Sequence, residues 1–80
     1  MAQIDINSIK RIEKERNSVH EEVHTTYTVF KKAGEKYVQI DTYGKAGREI
    51  PGKISQSIQI NDKSARFLVN LLVNEFGIEL

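Results

Sequence analysis

The sequence predicts an α+β domain: an N-terminal helix, a three- or four-stranded antiparallel sheet, and a C-terminal amphipathic helix packed on that sheet. Three patterns carry this expectation. Polar and apolar residues alternate over Tyr37–Tyr43 and again over Ile54–Ile60, the period of a strand with one face turned inward. Apolar residues crowd the stretch from Ala65 to Phe76, between cap residues and Gly77. A charge-laced stretch at the N-terminus repeats its apolar residues at three-four spacing. With 80 residues the chain is one domain, divided into an N-terminal helical segment (1–24), a sheet (25–60) and a C-terminal helix (61–77).

In the first segment, Ile9, Ile12, Val19 and Val23 define a helix over 5–23, with Arg16 in the middle slot and Asp5 or Asn7 as the cap. Acidic Glu13, Glu15, Glu21 and Glu22 are interspersed with Lys10, Arg11, Lys14 and Arg16, as on an exposed helix face. The apolar stripe is thin, so this helix needs a partner. From Thr25 to Phe30 the residues are β-branched and aromatic, and AGEK at 33–36 signals a turn. In the next strand Val38, Ile40 and Thr42 share one face, and Tyr37, Gln39, Asp41 and Tyr43 the other. Residues 44–52 hold three glycines and Pro51, a loop with room for a short strand near Glu49 and Ile50. Beyond it Ile54, Gln56, Ile58 and Ile60 alternate with Ser55, Ser57 and Gln59.

The last element is the clearest. Asn61 or Asp62 caps it and Gly77 stops it. On a helical projection Lys63, Arg66, Asn70 and Asn74 fall in one narrow wedge, and nearly everything else is apolar. One small sheet cannot cover so much helix, so a second helix is expected over it, from the N-terminal segment or from a second copy of the chain. The expected core is Val38, Ile40, Ile54, Ile58, Ile60, Ala65, Leu68, Val69, Leu72 and Phe76. The expected dimer contact is Phe67, Leu68, Leu71 and Leu72.

Composition narrows the setting. A domain near this size buries only about 60% of its unfolded surface, and the absence of cysteine removes disulfides as a supplement. The polar start MAQIDINSIK has no signal-peptide pattern, and no apolar run approaches the roughly 20 residues of a membrane span. A cytoplasmic protein with no membrane partner is the expectation. Net charge is only +1, but residues 25–53 carry six basic side chains against three acidic ones, a net of +3, with −1 on either side. The basic charge therefore sits on the predicted hairpin and its loops.

Candidate chemistry is sparse. His20-Glu21-Glu22-Val23-His24 fits the H-E-x-x-H pattern, which on a helix sets two imidazoles on one side to bind zinc while Glu21 activates water. The chain has no other histidine and no cysteine for a third ligand, and the match falls where helix should give way to strand. A solvated helix end is the better reading, with His20 and His24 as weak metal candidates and a minimal zinc hydrolase as a remote alternative. Ser18, Ser55, Ser57 and Ser64 sit in no nucleophile motif. GKAGRE (44–49) lacks P-loop spacing, and Asp41 beside Glu49 is weak evidence for metal-dependent chemistry. No catalytic residue and no cofactor is implied.

The outward strand face is the remaining candidate. Single-stranded nucleic acid is held by aromatic stacking and backbone-tracking cations. Tyr37 and Tyr43 could stack bases, Gln39, Gln59, Ser55 and Ser57 could hydrogen-bond base edges or phosphates, and Lys36, Lys45, Arg48 and Lys53 could neutralise phosphate. Asp41 lies on the same face and opposes this.

Two resemblances bear on these residues. YVQIDTYGKAGREIPGKISQSIQIND, followed by Ala65 and Leu68, resembles a family of short bacterial proteins of unknown function, over roughly residues 25–76. Members of such families sometimes carry the label methionyl-tRNA formyltransferase, an activity that needs a far larger chain. The run of strands, the turn at Pro51, Gly52 and Lys53, the strand Ser57–Ile60 and one long helix with Leu68 and Leu72 is similar in architecture to the transcriptional coactivator family called positive cofactor four. That resemblance implies single-stranded DNA binding, a dimer built through the helix, and phosphate contacts from Lys53, with Lys45 and Arg48 behind it. The chain departs from that family in a longer spacer after the turn, and in a Tyr/Ser/Gln face bearing Asp41 where the family has strongly basic, Trp-bearing strands. The expected function is thus a non-enzymatic module, homodimeric, binding single-stranded nucleic acid across the strand face. The alternative is a protein-interaction or accessory subunit with no nucleic-acid activity.

Overall fold

A tight hairpin organises the sheet. Strand β2 (Thr25–Lys32) and strand β3 (Glu35–Tyr43) pair in an unbroken antiparallel register from Thr25 opposite Thr42 to Lys32 opposite Glu35. Only Ala33 and Gly34 connect them, at φ of 53° and 80°. Positive φ at both central residues is the condition of a type I′ turn, whose twist matches that of the flanking strands. Strand β4 (Ile54–Ile60) lies antiparallel on the other side of β3. The structure, a computed structural model, describes residues 1–44 and 52–80. The short strand expected near Glu49 and Ile50 falls outside them, as do Lys45, Arg48 and Pro51.

A two-residue strand that periodicity does not reveal, β1 (Ala2–Gln3), adds in parallel to the free edge of β4, with Ala2 opposite Ile58 and Gln3 opposite Gln59. The Ile4 amide continues the contact, donating to the Gln59 carbonyl at 3.0 Å. The sheet is therefore mixed, in the order β1-β4-β3-β2. After it comes α1 (Asp62–Phe76). Its ends are those read from the sequence. The Asn61 side chain accepts from the Ser64 amide at 3.0 Å while Ser64 Oγ accepts from the Asn61 amide at 2.9 Å, a reciprocal cap. Gly77 closes the helix at φ 63°. In the first turn Arg66 Nε donates to Asp62 at 2.9 Å, which holds the Asp62 carboxyl below its ordinary pKa.

The helix expected over 5–23 is absent. Asp5 starts one turn, accepting from the Asn7 amide on its side chain and from the Ser8 and Ile9 amides on its carbonyl. The chain then runs without regular structure to His24. The reason is burial: most helical stability comes from packing an apolar face, and here Ile12 and Val19 stay exposed. Ile9 lines a cleft with Phe67 and Leu71 of the helix, and Arg11 meets Glu75 at 3.4 Å.

The core differs from expectation too. Among the described residues no apolar side chain is buried. Val38, Ile40, Ile60, Ala65 and Leu68 are half-buried, and Ala65 lines a cleft with Val38 and Ile60, where the helix meets the apolar sheet face. Ile58, Val69, Leu72 and Phe76, expected inside, are exposed. Ile54 is half-buried but on the opposite face. A β-bulge makes Gln56 the partner of Thr42 yet Ile54 the partner of Tyr43, and the skipped residue Ser55 reverses the alternation. Ile54 accordingly lines a cleft with Gln39, Ser57 and Gln59.

The chain is open for its size. Its accessible surface is 7499 Å², where a compact monomer of 9.2 kDa exposes about 4,900 Å². Its radius of gyration is 15.0 Å, against about 12 Å for a compact chain of this length.

Candidate functional site: the polar sheet face and the hairpin

The register assembles one polar face from three strands. Opposite residues share a face, so Thr26, Thr28 and Phe30 of β2 join Asp41, Gln39 and Tyr37 of β3, with Ser57 and Gln59 of β4 beyond. At its centre the polar groups satisfy one another. Gln59 Nε2 donates to Gln39 Oε1 at 2.8 Å, Gln39 Nε2 donates to Asp41 Oδ1 at 2.9 Å, and Ser57 Oγ donates to the same carboxylate oxygen. Asp41 is only 6% exposed. Its charge is thus compensated by two donors and turned into the sheet. Gln39 and Ser57, read from the sequence as ligand contacts, are half-buried members of this chain of hydrogen bonds.

At one end of the face, Tyr43 shares a hydrogen bond of 3.0 Å with the Thr26 hydroxyl, and the His24 ring lies 4.9 Å from it at a 47° tilt. At the other, hairpin end, the Phe30 and Tyr37 rings stack at 5.4 Å and 21°. The Tyr37 hydroxyl donates to Glu35 at 2.8 Å, and this bond to a carboxylate raises its pKa above the ordinary tyrosine value. Lys32 follows Phe30 on the same face, beside the turn. Lys31 is directly opposite Lys36 on the other face of the hairpin. Among the described residues none of the three lysines has an ion-pair partner.

The other expected site residues are dispersed. Lys53 and Ser55 are exposed where β4 begins, Ser55 in the bulge, while Lys45 and Arg48 lie outside the described residues. On the helix, Phe67 and Leu71 face Ile9 of the same chain, Leu68 is half-buried and Leu72 exposed. His20 and His24 occupy irregular chain, so no helical face brings the imidazoles together. Among the described residues no group of three His, Cys, Asp or Glu side chains is placed to hold a metal.

The sequence pattern does not single out Phe30, Thr26 or Thr28 as site residues. Their signal was the turn: once Ala33 and Gly34 are taken as the two-residue connection, Phe30 must face Tyr37.

The protein is a small α+β domain, a mixed four-stranded sheet with one C-terminal helix packed on it, and no described helix is long and apolar enough to cross a membrane. Comparison with known proteins gives no match: no family model matches the chain, nor does any curated protein or solved structure.

Proposed function

We propose that this chain is a non-enzymatic module that binds single-stranded nucleic acid at the hairpin end of its polar sheet face. One observation carries the reading: a stacked Phe30–Tyr37 pair beside the hairpin turn, with Lys32 on the same face and Lys31 and Lys36 on the opposite one, none of the three in an ion pair among the described residues. Base stacking on aromatic rings and phosphate neutralisation by nearby cations are the two requirements of sequence-tolerant single-strand binding. Lys31 opposite Lys36 is unfavourable by itself, and a phosphate near the hairpin relieves that repulsion. Asp41, which opposes an anionic ligand from its position on the face, is shielded by Ser57 and Gln39. Lys53, exposed where β4 begins, lies beside Tyr43 at the other end of the face and is not part of this cluster.

The test is fluorescence anisotropy with labelled single- and double-stranded oligonucleotides at low salt. Tyr37→Ala is expected to weaken single-strand binding by about 1–3 kcal/mol, the range for one stacked base. Lys36→Ala is expected to flatten the salt dependence by about one phosphate contact. No binding at low salt, or variants that bind like the parent, would refute the reading.

A second reading, a self-associating interaction subunit, is favoured by the surface. No described apolar side chain is buried, and Val69, Leu72 and Phe76 stand exposed along α1.

A further inference from the structure

Strand β2 is an open edge of the sheet, eight residues long. Which of its peptide groups point outward follows from one hydrogen bond. The Tyr43 amide donates to the His24 carbonyl at 3.0 Å, so residue 24 and its partner form a hydrogen-bonded pair. In an antiparallel ladder such pairs alternate with non-bonded ones. Thr26, Thr28 and Phe30 therefore spend their peptide groups on β3, and Thr25, Tyr27, Val29 and Lys31 direct theirs to the free edge. Long unprotected edges are templates for another strand.

We infer that this edge pairs antiparallel with β2 of a second copy, about a two-fold axis at Thr28. The four outward residues select that register. Thr25 falls opposite Lys31 of the second copy and Tyr27 opposite Val29, so every outward amide and carbonyl of one strand meets an outward partner. Centring on Val29 instead would leave Thr25 opposite the turn. Charge agrees with the Thr28 axis: Lys31 meets a threonine and Lys32 meets His24, so no two lysines are opposed. Tyr27 and Val29, 74% and 51% exposed in the single chain, meet as an aromatic–β-branched pair on the apolar face, a favourable cross-strand combination. The axis is perpendicular to the sheet, so both α1 helices stand on the same side of one continuous sheet, doubled in width, and the two polar faces merge. The surface leaves room for a partner of this scale. The chain exposes roughly 2,600 Å² more than a compact monomer of its mass, against about 800 Å² that each partner of a standard interface buries.

The inference rests on the self-association reading above and is independent of nucleic-acid binding. Its test uses the lack of cysteine. At the axis Thr28 faces its own copy as a non-hydrogen-bonded pair, with Cα atoms about 4.5 Å apart, within disulfide range. Thr28→Cys is expected to form a disulfide-linked dimer under mild oxidation at least tenfold faster than Lys63→Cys on the exposed side of α1. Val29→Pro removes one outward donor and is expected to weaken dimerisation in sedimentation at least tenfold while the β signal in circular dichroism persists. Thr25→Lys, which opposes Lys31 of the second copy without touching the backbone, is expected to weaken it several-fold, and Thr25→Glu to strengthen it. A sedimenting dimer in which Thr28→Cys links no faster than Lys63→Cys would overturn the seam and leave association to the helices. A monomer at high micromolar concentration would overturn both, leaving the edge for an extended peptide of another protein.

Discussion

Asp41→Ala tests whether the polar network stabilises the sheet or merely decorates it. The substitution removes the acceptor of Gln39 Nε2 and of Ser57 Oγ. Hydrogen bonds to a charged group contribute about 1.5–3 kcal/mol each. Both donors are half-buried and recover some water, so the low end applies and the gross loss is about 3 kcal/mol. Removing the carboxylate also removes the cost of burying it, which returns about 1 kcal/mol. The net expectation is destabilisation by about 2 kcal/mol, a fall in Tm on the order of 10 °C for a domain of this size. Asp41→Asn keeps an acceptor oxygen but not its charge, and should cost about 1 kcal/mol. Urea unfolding at one fixed protein concentration gives these values, the concentration held because an associating chain gains stability by mass action. A double-mutant cycle with Ser57→Ala should show a coupling of about 1 kcal/mol. Parent-like stability of Asp41→Ala, within about 0.5 kcal/mol, or no coupling to Ser57, would refute the reasoning. A more stable Asp41→Leu would show that the network costs more than it returns.

Two further substitutions probe local geometry. Ala33, at φ 53°, bears the left-handed cost of about 1 kcal/mol for a residue with a Cβ. Ala33→Asn should raise Tm by several degrees, and Ala33→Gly by less, because glycine also gains entropy in the unfolded chain; a fall in Tm for Asn would contradict the turn assignment. At the helix cap, Asn61→Ala should cost about 1 kcal/mol and Asn61→Gly only a few tenths, so equal losses in denaturant unfolding would mean the Asn61–Ser64 bonds contribute little.

The strands and the last helix were legible because their signals are local. Alternation over Tyr37–Tyr43, the cap at Asn61 and the stop at Gly77 each act within a few residues. What was hidden depends on distant partners. Nothing in Ala2 and Gln3 announces a strand until β4 supplies an edge beside it. The period of Ile9, Ile12, Val19 and Val23 is helical, yet a period alone does not bury Ile12 or Val19, and the segment stays irregular. Counting twos from Ile60 places Ile54 inward, and the bulge at Ser55 breaks that count. Asp41 looked like an exposed acid because sequence shows its face but not the Ser57 and Gln39 donors that enclose it. The three lysines and Tyr37 were visible as a composition, whereas the stacked partner Phe30 needed the register.

The parallel contact between Ala2–Gln3 and Ile58–Gln59 also sets an order in time. On the ribosome Ala2 and Gln3 emerge well before Ile58 and Gln59, so this edge strand is left waiting while everything between it and β4 is synthesised. Closure entropy favours the short connection first: the β2–β3 hairpin needs only Ala33 and Gly34, β4 must then cross the loop, and the N-terminus joins last. Until residue 60 clears the exit tunnel, the nascent chain therefore carries a finished hairpin with both edges bare, the interval in which it is most open to pairing with a neighbouring copy on the same message.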